Sequence, residues 1–393
     1  MIRNLHIYPS AFKNESRILR EARSILSLGL ANQILIAATW EKGLPESEQI
    51  TDNIVVNRKK SVFNRFPKGG ICDILRYLAF MVQVILRYSG KRKPQIVNSH
   101  SLSVLFAGVI FKILYGSRLI YDAHELETER SGVHGYRQKL AKILERSLIR
   151  RCDKIIVVCD KIAEWYLQAY PFLKGKITVI RNVPDTITAE SIPDANLKRE
   201  FAVPENHLLF VYQGGFFRGR GIETMLSVFE KNTDKHLVFI GYGPYQNMIS
   251  EYERRCKNIH VKAAVPPAQL IAYTRTADCG ISLIENVSLS YYYSLPNKVF
   301  EYAMSGVPLI VSDFPEMSNF VNTYKIGWAV NPDIESLGKL LSDLDRSALE
   351  AVKPNFARVY REINWQIEEK KLLEAYNFDS PTSEVNKQVS NVI

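Results

Sequence analysis

Short apolar runs alternate with longer amphipathic segments along almost the whole chain, so strands and helices are predicted to take turns. In the first half the apolar runs predict strands at 5–8, 33–38, 96–98, 118–122, 154–158 and 177–180. Helical spacing predicts helices at 15–28, 71–88, 102–115, 136–151 and 160–169. In the first of these, Ile18, Leu19, Ala22, Ile25 and Leu26 share one face. Residues 182–196, NVPDTITAESIPDAN, break the rhythm with two prolines and polar side chains. The alternation then restarts, with strands at 208–213, 237–240, 259–262, 279–283 and 309–312. Helices are predicted at 222–232, 245–256 and 267–274, and a final long one at 356–376. The strands are apolar throughout and do not alternate with polar residues, which is the pattern of parallel sheets covered on both faces. The predicted fold class is therefore α/β, with two doubly wound, Rossmann-like domains at 1–182 and 197–355. A linker at 183–196 joins them, and a polar tail follows at 377–393. Ligands of open sheets bind at the carboxyl ends of the strands, so a cleft between facing domains is the default site.

One helix, between Ser294 and Gly306, has a divided surface. Ser294 is expected to cap it, Pro296 to sit just inside its start and Gly306 to end it. At 100° per residue Asn297, Lys298, Glu301, Tyr302 and Ser305 fall on one arc, and Val299, Phe300, Ala303 and Met304 on the other. Free N–H groups, a cation and a carboxylate suit a phosphorylated ligand that also carries hydroxyls. An ordinary amphipathic helix with a solvated polar face shows the same arc.

Composition narrows the class. The chain has 393 residues, 46% hydrophobic and 11% aromatic, as in a folded enzyme of two or three domains. Five cysteines without a CxxC pair point to neither a disulfide framework nor a zinc site, and so to a reducing cytoplasm. The N-terminus is too short and polar for a signal peptide, and no apolar run approaches a membrane span. The net charge of +10 is uneven: 30 Lys+Arg face 16 Asp+Glu through Asp185, leaving 21 and 25 in the remainder. A basic half suits an anionic membrane surface, an acidic substrate or nucleic acid. No nucleic-acid motif accompanies it, so a membrane surface ranks first and nucleic acid is not expected as a partner. Segment 71–88 is very apolar and is followed by Lys91, Arg92 and Lys93. It reads either as a helix lying on a membrane or as one packed on its own sheet.

Chemistry is suggested at three further places. QGGFFRGRG at 213–221 leaves a strand and opens a helix, with Gly214, Gly215, Arg218 and Arg220 forming an anion cradle that matches no standard phosphate motif. GYGP, beginning at Gly241, reads as a second such turn or as a tight turn without a ligand. His124, in DAHELE, is taken as the one histidine of seven just past a strand's carboxyl end. Beside Asp122, Glu125 and Glu127 it reads as a catalytic group or as hydrogen-bonded structure. Asp343 and Asp345 mimic a metal–nucleotide pair but read as solvated surface.

Taken together, YQGGFFRGRGIETML, FIGYGP, YTRTADCGISLI and SLPNKVFEYAMSGVPLIVSD resemble the family-four retaining glycosyltransferases of GT-B fold, a group 1 family. In the first half NESRILREARSILSLG, LIYDAHE, CDKIIVVCDKIAEWYL and VIRNVPD agree with it. NWQIEEKKLLEAY resembles the closing helix, here 356–376, that crosses back to the N-terminal domain. The resemblance covers about 1–376 and is most specific in PNKxFEY. It implies an N-terminal acceptor domain and a C-terminal domain for a nucleotide-sugar. Glu301 would bind the ribose hydroxyls, while Lys298, Arg220 and the backbone from Leu295 to Asn297 hold the diphosphate beside Gly214, Gly215 and Gly241. Val265 would meet the base. His124 would face the donor sugar as the catalytic residue, and Asn14 and Arg17 would border the acceptor. No cofactor and no metal ion are expected. Many members carry a second glutamate where this chain has Tyr293, and an arginine where it has Gly215, which implies a different grip on the donor.

The function expected is retaining transfer of a sugar from a nucleotide donor to a glycan acceptor, lipid-linked, in bacterial surface polysaccharide biosynthesis. The enzyme would be cytoplasmic and peripheral on the inner membrane face. The alternatives are a nucleotide-sugar epimerase of the same fold and a non-catalytic nucleotide-sugar-binding subunit of a transferase complex.

Overall fold

A computed structural model describes residues 1–13, 15–60, 70–184 and 195–378. Two compact units emerge, one made of residues 1–181 and 369–393, the other of 182–368. Asn14, most of the expected linker and most of the tail lie outside the described residues.

The first unit holds eight strands: β1 (Arg3–Ile7), β2 (Gln33–Thr39), β3 (Ser47–Thr51), β4 (Ile54–Lys59), β5 (Ile96–Ser99), β6 (Arg118–Ala123), β7 (Lys154–Val157) and β8 (Ile177–Val179). They form one sheet in the order β3-β4-β2-β1-β5-β6-β7-β8. All pairs are parallel except β3 with β4. The helices are α1 (Ser16–Ser27), α2 (Gly70–Arg87), α3 (Leu102–Tyr115), α4 (Gly135–Ile149) and α5 (Asp160–Ala169). The hairpin β3–β4 escapes the sequence pattern because β3, SEQIT, is a polar edge strand whose residues alternate between exposed and half-buried.

The second unit holds β9 (Leu208–Gly215), β10 (Lys235–Tyr242), β11 (Ile259–Ala263), β12 (Cys279–Ser282), β13 (Leu309–Ser312) and β14 (Gly327–Val330). Their order is β11-β10-β9-β12-β13-β14, parallel throughout. β14, GWAV, is the half-buried edge strand and was not expected. Its core is strongly aromatic: Phe210, Tyr212, Phe216, Phe229 and Phe239 are fully buried in it.

Each sheet reverses direction once, and these reversals set the sites. In the first, the chain runs outward from β1 through β2 and returns to β5 on β1's other side; in the second it runs outward from β9 and returns to β12. A crevice opens at the carboxyl ends of the two strands flanking each reversal.

The expected long helix at 356–376 is a correction. It is three short helices, Phe356–Glu362, Trp365–Glu368 and Lys371–Ala375. Ile363 is extended, and the Asn364 side chain accepts from Ile367 N at 3.0 Å, capping the next turn. The last of the three does rejoin the first unit, packing along β7 and β8. Tyr376 is buried there, accepting from Asn4 Nδ2 at 2.7 Å and donating to Asn98 Oδ1 at 3.1 Å. No helix among the described residues is long and apolar enough to cross a membrane.

Candidate functional site

In the second unit, the reversal between β9 and β12 collects most of the predicted donor residues. β9 ends in Gln213, Gly214 and Gly215, and the loop after it leads into the helix Ile222–Phe229. Gly221 starts that helix at φ 64°, and a Cβ there would lie 2.5 Å from Leu283 Cβ. Gly241 pairs with Gly214 across the sheet, and a Cβ on it would sit 1.9 Å from the Gly214 carbonyl oxygen. These glycines let backbone close in on the strand ends. At Gly215, where relatives were expected to carry arginine, a Cβ would fall 2.4 Å from the Phe217 ring.

The helix Asn297–Met304 points its start at the same place. Pro296 is its cap residue, so Ser294 is not: Ser294 Oγ donates to Tyr291 O at 2.8 Å, and the capping serine is Ser288, one helix earlier. No side chain caps this helix, and Val299 N already donates to Pro296 O at 3.0 Å, which leaves the amides of Asn297 and Lys298 for a ligand. The polar arc of this helix is solvated only at its start: Asn297 is exposed, Lys298 and Glu301 are half-buried, and Ser305 is buried. Tyr302 is fully buried; its hydroxyl accepts from Gln213 N at 3.1 Å and lies 3.2 Å from the carbonyls of Val211 and Ile281. Glu301 accepts from Gln213 Nε2, and Gln213 Oε1 in turn accepts from Thr274 Oγ1 at 2.6 Å. Gln213 therefore fixes the Glu301 carboxylate, a role that sequence reading missed because a strand-end glutamine carries no motif. Lys298 Nζ lies 3.7 Å over the Tyr212 ring, and the Arg220 guanidinium 4.6 Å over the Tyr291 ring. Burial first, then the Arg220 charge, holds the Lys298 amine well below the usual lysine range, against the pull of Glu301. Two basic side chains, two helix starts and a carboxylate are groups that would suit a phosphorylated, hydroxyl-bearing ligand. Leu295 is buried just before Pro296, and Val265 follows β11 at the sheet edge. Asp343 and Asp345 are both exposed, and Asp345 caps the helix Arg346–Val352 by accepting from Ala348 N.

In the first unit, the reversal between β1 and β5 gathers histidines. His124 follows β6, as expected, but His100 follows β5 in the same way, so His124 is not the one histidine past a strand end. The signal was present in IVNSHS, an apolar run ending in histidine. Asp122 Oδ2 lies 2.9 Å from His100 Nδ1 and 3.2 Å from His124 Nε2. His6, in β1, places Nδ1 2.8 Å from His100 Nε2. Arg17, expected at the acceptor border, is buried, with 6% exposure. Its guanidinium pairs with Glu21 at 2.9 Å and Asp122 at 3.2 Å and donates to Ile180 O at 3.1 Å. Burial opposes charge on Asp122, yet Arg17 and the two histidines hold its carboxyl well below the usual range. Burial keeps His6 and His100 low, whereas on His124 the Asp122 charge overcomes burial and raises it. Burial pushes Glu21 up to about 7 in spite of Arg17. His124 is thus the member that carries a proton most readily. Among the described residues, His100, Asp122 and His124 bring donor atoms within 4.8 Å of one another, as a metal site would. Both oxygens of Asp122 are already engaged, one by the Arg17 guanidinium, which is poor company for a cation.

Two family models match the chain, Glycosyltransferase Family 4 over residues 16–186 and Glycosyl transferases group 1 over residues 194–351. Alpha-maltose-1-phosphate synthase of Mycolicibacterium smegmatis is 27% identical over 164 residues, 40% of this chain. The match spans only 42% of that relative's length. Sucrose-phosphate synthase of Thermosynechococcus elongatus shares the fold at a TM-score of 0.77 and 14% identity, over 96% of this chain and 98% of that one. Anabaena HepE, solved in complex with UDP and glucose, does so at 0.70 and 12%, over 95% and 99%. Both units together carry the matched models and the shared fold, and the chain belongs to the group 1 glycosyltransferases of GT-B fold.

Proposed function

We propose that this protein transfers a sugar, with retained configuration, from a nucleotide-sugar donor held in its second unit to a lipid-linked glycan acceptor. The observation that carries the reading is the convergence of Lys298, Arg220, the Gly214 turn and Glu301 at the sheet reversal beside β9. Cations and helix starts suit the diphosphate, and a carboxylate held by Gln213 suits the ribose hydroxyls. The likeness to HepE, solved with UDP and glucose, supports a nucleotide donor. As the glycosidic bond breaks, charge grows on the leaving diphosphate, and Lys298 and Arg220 stabilise it where a divalent ion would otherwise be needed. His124, the histidine raised by Asp122, is the catalytic residue in this scheme. The strongly basic first half suits an acceptor on an anionic lipid carrier, in bacterial surface polysaccharide synthesis at the inner face of the cell membrane.

Titration of the full chain with UDP-, GDP- and dTDP-sugars, followed by transfer assays, tests this. Glu301→Ala, Arg220→Ala and Lys298→Ala are each expected to lose about 1–3 kcal/mol of donor binding or of transition-state stabilisation. Turnover is expected to persist in chelator. Wild-type activity in all three variants would sink the assignment. Tight donor binding without hydrolysis or transfer would favour a nucleotide-sugar-binding subunit instead, and interconversion of donor epimers an epimerase.

A further inference from the structure

The apolar side chains that this protein leaves in solvent are concentrated in one place. Among the described residues, thirteen of the twenty-three exposed large apolar side chains stand on α2, α3 and α4. The three helices are neighbours, α2 against α3 and α3 against α4. On α2, Ile74, Leu78, Val82 and Leu86 recur every four residues and are 60%, 46%, 54% and 73% exposed. That spacing lines up one outward stripe, while Phe80 and Val84 are buried on the inner side. α3 adds Ile113 and Leu114, each about three-fifths exposed. On α4 the exposed stripe is Tyr136, Leu140, Ile143 and Leu144, and the buried residues are Glu145, Leu148 and Ile149. Scattered surface leucines need no explanation, but so many exposed apolar side chains on three adjacent helices do.

Its rim is positive. Arg137, Lys139, Arg146, Arg150 and Arg151 are exposed on or next to α4, whose one acidic residue, Glu145, is buried among Thr128, Tyr166 and Tyr170 hydroxyls. Lys91, Arg92 and Lys93 are exposed just beyond the end of α2. Two copies of such a face packed together would oppose their like-charged rims, which argues against a dimer. Apolar side chains entering an acyl boundary while lysines and arginines meet phosphates is the arrangement of a surface-bound protein.

We propose that the α2–α3–α4 face docks on a membrane surface containing anionic phospholipid. This rests on the lipid-linked acceptor of the proposed function and names the surface through which such an acceptor is approached. Co-sedimentation of the full chain with vesicles tests it without any sugar. Vesicles of phosphatidylcholine mixed with phosphatidylglycerol are expected to bind about tenfold more tightly than phosphatidylcholine alone, and binding should weaken as salt rises. Leu140→Glu with Ile143→Glu, at exposed positions, is expected to lose about tenfold of that binding with an unchanged melting temperature. Arg137→Glu with Lys139→Glu should remove the preference for phosphatidylglycerol. The proposal is overturned if the chain ignores anionic vesicles, or if the Leu140 and Ile143 variant binds them like wild type. It is equally overturned if sedimentation equilibrium shows a dimer that this variant dissolves. Sugar transfer to a detergent-dispersed acceptor, with vesicle binding lost, would remove the docking face and leave the transferase standing. Vesicle binding without any transfer would do the reverse.

Discussion

The ammonium of Lys298 is pulled in two directions. Burial and the nearby Arg220 disfavour its charge, while Glu301 and the face of the Tyr212 ring favour it. The first pair prevails, so the amine gives up its proton at lower pH than a solvated lysine does. A bound diphosphate brings negative charge to the same place and raises the amine again. Above the lowered value and below the restored one, binding must therefore take up a proton, in keeping with linkage. Calorimetric titration of UDP across a series of pH values, repeated in buffers of different ionisation enthalpy, reads that uptake directly. A positive proton uptake of up to about one is expected for wild type and its loss in Lys298→Met, which keeps the stem over Tyr212 without the charge. Identical slopes in both proteins would show that Lys298 does not sense the ligand.

The helix Asn297–Met304 illustrates how far a pattern of residue types can be trusted. Its two arcs were legible in the sequence, and so was the break at Gly306, which adopts φ 71°. Which arc faces water was not, because polar residues serve equally well outside and in a buried network. Here Tyr302, Glu301 and Lys298 turn inward onto the end of β9, and the ring of Tyr302 lies across β12, where Gly280 leaves it room: a Cβ there would be 2.5 Å from the ring. The Tyr302 hydroxyl anchors Gln213, and Gln213 anchors Glu301. Tyr302→Phe leaves the Gln213 N–H buried without that partner and should cost about 1–3 kcal/mol of stability. It should also weaken donor binding although residue 302 touches no ligand in the proposed scheme, because Gln213 then holds Glu301 less firmly. Urea unfolding and UDP titration of the one variant check both effects. A stability loss with donor affinity unchanged would mean that the tyrosine supports the sheet alone.

Two α/β units with parallel sheets were legible in the chain because their strands are buried on both faces and so read as continuous apolar runs. The polar edge strand β3 and the short β14 were not, since half-exposed edges lack that signal. His124 was found and His100 missed although both stand one residue past a strand, for the sequence does not show which strand ends are neighbours. Only the sheet order places β5 beside β6 and β1. The same limit concealed how the chain closes. Tyr376 looked like the end of a long helix; in the structure it reaches the two central strands of the first sheet, bonding Asn4 of β1 and Asn98 of β5. Both asparagines are essentially unexposed, so their polar atoms depend on a residue some 280 to 370 positions later. Tyr376→Phe keeps the ring and removes the hydroxyl, leaving a buried donor and a buried acceptor short of a partner. A loss of about 1–3 kcal/mol is expected, confined to the first unit. Amide hydrogen exchange separates the units where a single melting curve does not. Protection should fall at β1 and β5 and stay unchanged at β9 and β12, with UDP affinity intact. An equal loss across both sheets would mean that the C-terminal segment stabilises the molecule through some route other than these two bonds.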